Sequence, residues 1–286
     1  MSNDVREETG SNQQRRALVM GAFAAAALPV AASTIKTPHE GLTAGEITID
    51  VNGFAMPAYR AMPAKAKGKL PVVLVVSEIF GIHEHIADVA RRFAKAGYLC
   101  IAPELFVRQG DAMNQPDIQT LVREVISKVP DAQVMGDLDA CVAWAAKNGG
   151  DPKKLAVTGF CYGGRTTWLY SAHNPAVKAG VAWYGRVVGT SSPLTPRHPV
   201  DVVSQLKAPV LGLYAGDDPG IPNNTVAQMQ NALAASPNPA ARTSDFVLYR
   251  TAKHGFHADY RPMYDEAAAK DGWARCLAWF KRHGVA

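Results

Sequence analysis

The segment LAVTGFCYGGR, residues 155–165, places Cys161 between Gly159 and Gly163, where a predicted strand runs into a predicted helix. A turn that sharp forces its central residue into strained backbone angles and leaves no room for side chains two positions to either side. It also sets the cysteine sulfur at a helix N-terminus, whose free N–H groups and partial positive charge favour thiolate over thiol. A thiolate placed in this way is a nucleophile for acyl transfer. It then needs a base, and the base needs a group to orient it. Both follow in chain order. Asp217 and Asp218 lie just beyond a predicted strand over 210–214, and His254 lies just beyond another over 246–249, with Gly255 beside it for clearance. His254 would take or give the proton, and one of the two aspartates would hold its tautomer and stabilise the imidazolium.

These residues must be carried by elements that bring them to one place. Residues 46–59 alternate polar and apolar about Asn52-Gly53, the pattern of a hairpin whose turn needs positive φ. Residues 70–76 are a continuous run rich in valine, as in a strand buried on both faces at the centre of a sheet. Helical periodicity covers 84–96, 116–129 and 132–147, with a strand over 99–102. Further strands fit 154–158, 179–184, 209–214 and 246–249, alternating with helices over 164–173, 223–235 and 262–282. This alternation predicts an α/β fold, a mostly parallel central sheet with helices on both faces. Residues 191–199, with three prolines, read as a surface loop.

Hydrophobic residues at 48% and charged residues at 19% describe a folded chain with a sizeable core. The net charge of +5 is spread without a Lys/Arg tract, which points away from nucleic acid and toward small, anionic partners. Residues 1–32 read apart from the rest: a polar stretch ends in Arg15-Arg16 and an apolar run over 17–32 follows. That run is shorter than the roughly 20 residues of a membrane span, so no stable span is expected. The pattern is that of a signal peptide of the twin-arginine type, and it predicts a periplasmic or secreted protein. Residues 33–43 read as a linker and 44–286 as one catalytic domain.

Cys100, Cys141 and Cys276 sit in apolar or alanine-rich contexts and read as small buried hydrophobes, with no disulfide or metal spacing among the four cysteines. His83 and His85 flank Glu84, but a pair two residues apart beside a loop reads as polar loop residues. No metal and no cofactor is expected. His257 reads as a pocket wall or a helix-start residue, and Trp168, Trp183, Trp273 and Trp279 as core.

From about residue 46 to 280 the chain resembles the dienelactone hydrolases, also called carboxymethylenebutenolidases, of the α/β-hydrolase superfamily. The resemblance is carried by Ser77-Glu78-Ile79-Phe80-Gly81, by residues 103–109 (PELFVRQ), by Gly159 to Gly164, by Asp218 to Pro222 and by residues 254–261 (HGFHADYR). It implies the α/β-hydrolase fold and the reaction: attack of Cys161 on a small ester or lactone, a thioester, and hydrolysis by water activated through His254. It also implies Asp218, which precedes Ile221-Pro222 by the family's spacing, as the acid, and Asp217 as a solvated turn residue. By the same resemblance Glu78 can accept the thiol proton, the N–H groups of Ile79 and Tyr162 form the oxyanion hole, and Arg108 pairs with a substrate carboxylate. Members of the family carry a second arginine four residues after the catalytic histidine. Here that position is Ala258, and Arg261 is the candidate to replace it. Two other readings compete, a general carboxylesterase, thioesterase or acyltransferase on the same fold and a catalytically idle protein that binds a small anion; stoichiometric acylation by an activated ester separates the idle protein from the enzymes.

Overall fold

A computed structural model describes residues 34–286, so the signal peptide read over residues 1–32 lies outside the described residues. Eight strands form one sheet in the order β1-β2-β4-β3-β5-β6-β7-β8. The strands are β1 (Leu42–Val51), β2 (Phe54–Pro63), β3 (Leu70–Val76), β4 (Leu99–Pro103), β5 (Gly150–Phe160), β6 (Val177–Trp183), β7 (Val210–Asp217) and β8 (Asp245–Lys253). β1 and β2 form the antiparallel hairpin, with Asn52 at φ 52° in its turn. From β4 to β8 every pairing is parallel. The helices are α1 (Glu84–Lys95), α2 (Ile118–Glu124), α3 (Asp131–Lys147), α4 (Tyr162–His173), α5 (Asn223–Ala235), α6 (Pro239–Thr243) and α7 (Glu266–Arg282).

β3 shows why its valines are where they are. Val73 and Val75 join the core closed by α1 and α7, and Val72, Leu74 and Val76 join the one closed by α3, all at 1% exposure or less. Each side chain so buried contributes roughly 1.5–3 kcal/mol, so a strand apolar at every position is stable only at the centre of a two-faced sheet. On the first face Phe93 of α1 meets Trp273 and Phe280 of α7, with ring centroids 4.5 and 6.0 Å apart. Trp168, Trp183 and Trp279 are buried, whereas Trp273 is only partly so.

Several boundaries differ from the sequence reading. α2 is one short helix, capped by Asp117, whose side chain accepts from the Thr120 N–H; a separate 3-10 turn over Ile126–Lys128 follows. α7 starts at Glu266, where Asp265 caps it, and residues 254–265 form a loop over the sheet. The 3-10 helix Pro199–Gln205 and α6 were not predicted. Both are too short to show periodicity, and each begins with proline at its first turn. Residues 34–41 do not hang as a free linker. Arg91 Nε donates to the Thr37 carbonyl (3.0 Å) and Lys95 Nζ to that of Glu40 (2.5 Å), so this segment straps across α1. Among the described residues no helix is long and apolar enough to cross a membrane.

Candidate active site

β5 ends at Phe160 and α4 begins at Tyr162, so Cys161 is the single residue between strand and helix. It takes φ 54° and ψ −107°, a conformation that L-residues adopt only where the surroundings enforce it. The enforcement is steric. A Cβ on Gly163 would meet the Val76 carbonyl oxygen at 2.1 Å, and one on Gly159 would meet that of Gly163 at 2.3 Å. The two glycines let α4 press onto the ends of β3 and β5, and the Gly163 N–H ties the loop after β3 to the helix through the Ser77 carbonyl (3.1 Å). The same packing leaves Cys161 partly exposed, whereas Cys100, Cys141 and Cys276 are buried, their thiols pushed up by that burial.

β7 and β8 deliver the other two groups. Asp218 follows β7 and its side chain is 1% exposed; Asp217, the last residue of the strand, is exposed. Asp218 Oδ1 accepts from the N–H groups of Gly220 (2.9 Å) and Ile221 (3.2 Å), which fixes the carboxylate plane. Oδ2 then accepts from His254 Nδ1 at 2.7 Å. With Nδ1 taken by Asp218, Nε2 is the nitrogen left for Cys161, the other group that acts on the ring. Burial alone would lower the imidazole pKa. The hydrogen bonds and charges of Asp218 and Cys161 outweigh it and raise His254 to about 10, so that the ring is protonated through the neutral range. The structure therefore brings Cys161, His254 and Asp218 together, with Asp218 hydrogen-bonded to His254, and leaves Asp217 out of the set.

Glu78 lies at the end of β3 with 1% exposure. Its Oε2 accepts from the Tyr260 hydroxyl (2.8 Å), and its Oε1 has no hydrogen-bond partner but faces Arg261 at 3.9 Å. The Arg261 guanidinium also lies over the Phe80 ring, 5.3 Å from its centroid. The hydroxyls of Tyr260 and Tyr184 both lie within electrostatic reach of Glu78 and Cys161, and burial raises the pKa of each. Tyr162 opens α4, so its N–H has no carbonyl within the helix to bond, and Ile79 occupies the turn after Glu78. Arg108 is placed differently. Both its terminal nitrogens are bound by Asp137, at 2.7 and 2.8 Å, and its guanidinium stacks on Phe54 at 4.0 Å. The group expected to meet a substrate carboxylate is committed to a carboxylate of the protein itself.

Sequence reasoning missed three features of the site. Tyr184, one residue past β6, has φ 36°, no exposure and a hydroxyl without a partner, and its ring packs edge-on to His254 at 5.2 Å. The signal was present as a large residue before Gly185 at a strand end, but nothing local distinguishes it from a core tyrosine. Tyr260 lies within residues 254–261, where nothing in the sequence gives it a role. The third is a buried polar cluster beneath the site. His85 pairs with Asp259 (3.0 Å), which also takes Arg92 (2.7 Å), so the His254 loop is anchored to α1. His83 and His85 are thus buried residues at the start of α1 rather than loop residues, and burial lowers His83 to about 3. His257 does not start a helix. It is 1% exposed and packed between Phe160 and Trp183, at 4.9 and 4.6 Å. Among the described residues no group of three or more His, Cys, Asp or Glu side chains could hold a metal ion.

Residues 56–284 match the family described as the dienelactone hydrolase family. A protein of Methylorubrum extorquens that carries the name carboxymethylenebutenolidase is 59% identical over 266 residues, which is 92% of this chain and 90% of that protein. A Bradyrhizobium protein named as a 2-oxo-3-(5-oxofuran-2-ylidene)propanoate lactonase is 30% identical over 241 residues, 83% of this chain and 93% of its own. The crystal structure of a Klebsiella pneumoniae protein described as a dienelactone hydrolase aligns with a TM-score of 0.82 at 56% identity, covering 84% of this chain and 99% of the other.

Proposed function

Because the chain belongs to the dienelactone hydrolase family and is a hydrolase of the ester and lactone class, we propose that Cys161 is its nucleophile and that turnover passes through a thioester. The observation that carries this reading is the line from Asp218 through His254 to Cys161, with the sulfur on a strained residue at a helix N-terminus. The thiolate attacks the carbonyl carbon and the S–C bond forms. The carbonyl oxygen becomes an oxyanion held by the Ile79 and Tyr162 N–H groups. On collapse the ester C–O bond breaks, and the leaving oxygen takes the proton from His254, which its raised pKa keeps available. Water, deprotonated by the now neutral His254, then hydrolyses the thioester and returns the thiol. Glu78, held by Tyr260, is a second acceptor for the thiol proton.

A thiolate is a good attacker and also a good leaving group. The reading therefore favours activated esters, such as enol lactones, whose own leaving oxygen is stabilised, over alkyl esters. The substrate's anionic end, if it has one, meets Arg261, because Arg108 is occupied by Asp137. An anionic lactone is also what the name of the Bradyrhizobium relative describes. Export rests on Arg15-Arg16 and the apolar run over 17–32. Fusing residues 1–36 to a reporter should carry it out of the cytoplasm, and lysine at both arginines should block that; continued export would point to the general secretory route.

The nucleophile is tested by mixing the protein with an activated aryl ester and mapping peptides by mass. A stoichiometric acyl adduct on Cys161, lost in Cys161→Ala together with turnover, is the expected result. Turnover that survives complete alkylation of Cys161, or acylation elsewhere, overturns the assignment.

A further inference from the structure

We propose that Glu104 is a positioning residue for the oxyanion hole: its carboxylate fixes the loop from Glu78 to Ile82, and so sets where the Ile79 N–H points. This rests on the reading of Ile79 as an oxyanion donor and extends it to the side chain that holds it.

The placement starts with the sheet. β3 and β4 are parallel neighbours, with Leu74 level with Ile101, so the chain leaves both strands at the same end and Glu104 arrives beside the start of the Ser77–Ile82 loop. Glu104 cannot drift, because its own N–H is bound by the Pro57 carbonyl of β2 (2.9 Å) and the next two residues, Leu105 and Phe106, have no exposure. From there the carboxylate reaches the far arm of the loop. Oε2 accepts from the Ile82 N–H at 2.7 Å. A Cβ added to Gly81, whose φ is 73°, would lie 2.6 Å from Oε2 and 2.7 Å from Oε1, so the carboxylate lies flat against the Gly81 backbone.

The loop therefore has two anchors. Its near arm is tied to the nucleophile's helix by the bond between the Gly163 N–H and the Ser77 carbonyl, and its far arm to Glu104. Between them lie Glu78, Ile79 and Phe80. A tether at one end alone would leave the Ile79 peptide free to rotate about the other, and a displacement of about 1 Å at an oxyanion donor is enough to cost roughly a hundredfold in rate.

The chemistry of Glu104 also sets it apart from a packing residue. Its Oε1 is buried with no hydrogen-bond partner. Burial pushes the carboxyl up to about 7, against the Ile82 and Phe106 N–H groups, with the Asp111 charge adding to the rise. Among the described residues the Asp111 charge and the Ile82 and Phe106 backbone amides act on it. A buried carboxylate with one oxygen unsatisfied is destabilising, and a leucine or methionine would fill the space without that penalty. A charge-assisted bond to a backbone N–H, roughly twice as strong as a neutral one, is what the carboxylate adds.

The test uses the full chain, an aryl acetate as substrate and a pH of about 8.5, where Glu104 is ionised. Glu104→Gln keeps the shape and removes the charge, and Glu104→Asp keeps the charge and withdraws it by one methylene. For each, kcat, KM, the rate of Cys161 alkylation by iodoacetamide and the melting temperature are measured. Alkylation needs the thiolate and His254 but creates no oxyanion, so it separates this loop from the rest of the site. The expected result is kcat lower by roughly 10- to 100-fold, with KM and the alkylation rate each within about twofold of wild type. Either variant with wild-type kcat overturns the proposal. So does a fall in alkylation that matches the fall in kcat, which would place Glu104 in support of the nucleophile or the fold. Failure of the wild-type protein to form an acyl-Cys161 adduct would overturn the parent reading and this one together, whereas acylation by the wild type with an unaffected Glu104→Gln variant overturns only this one.

Discussion

Replacing Asp218 by asparagine changes one atom at the centre of the site, and the structure sets the size of the effect. Asp218 Oδ1 accepts two backbone N–H groups and Oδ2 accepts from His254 Nδ1. An asparagine has one oxygen for these two tasks. With its oxygen toward Gly220 and Ile221 it presents NH2 to His254 Nδ1, which then has no acceptor, so the imidazolium that sustains the thiolate and protonates the leaving oxygen is lost. The opposite orientation restores the acceptor but turns NH2 onto two backbone N–H groups. Each buried N–H left unmade costs about 1–3 kcal/mol, so the productive orientation lies about 2–6 kcal/mol uphill. At 1.36 kcal/mol per decade the expected loss in kcat/KM is between about thirtyfold and about 3 × 10⁴-fold. The assay is steady-state hydrolysis of an aryl ester by Asp218→Asn, with Asp217→Asn as the control, since Asp217 is exposed and outside the line. An Asp217→Asn loss equal to or larger than that of Asp218→Asn refutes the reasoning, and so does an Asp218→Asn loss below about threefold in a protein of unchanged melting temperature.

Three further outcomes are expected. His254 has its pKa raised, so its proton is held at neutral pH and lost as pH rises through about 10; kcat/KM should fall on that alkaline limb, and Asp218→Asn should move the limb acidward by more than about one unit, read from the pH–rate profile. Gly163→Ala puts a methyl group 2.1 Å from the Val76 carbonyl, against backbone that cannot yield locally, so it should cost about 3 kcal/mol and lower the melting temperature by roughly 6–12 °C in thermal unfolding. Arg108→Ala strands Asp137, whose side chain is 1% exposed, and should destabilise by about 3 kcal/mol while leaving the ratio of anionic to neutral substrate turnover unchanged; Arg261→Ala should lower that ratio by roughly 10- to 100-fold, measured on a matched pair of aryl esters.

The parts that the sequence determined are those whose physical demand is local. The elbow was readable because a turn that tight excludes any Cβ at Gly159 and Gly163, so its composition is dictated within five residues. The central strand was readable because burial on both faces forbids polar residues along it, and β3 has none. The candidate acid and base were readable as residues just past strand ends, but sequence position alone left Asp217 and Asp218 adjacent and equal. Family spacing chose between them, and the structure places Asp218, buried and held by two backbone amides, against His254. What only the tertiary structure decided are the partners that come from far along the chain. Arg108 looked like a free anion ligand until Asp137, 29 residues away, closed on both its nitrogens. His85 and Asp259, 174 residues apart, meet beneath the site, and Tyr260 reaches Glu78 across 182 residues. A charged side chain's type announces what it could bind, but whether it is free to do so depends on which opposite charge the packing brings within 3 Å, and no spacing along the sequence encodes that.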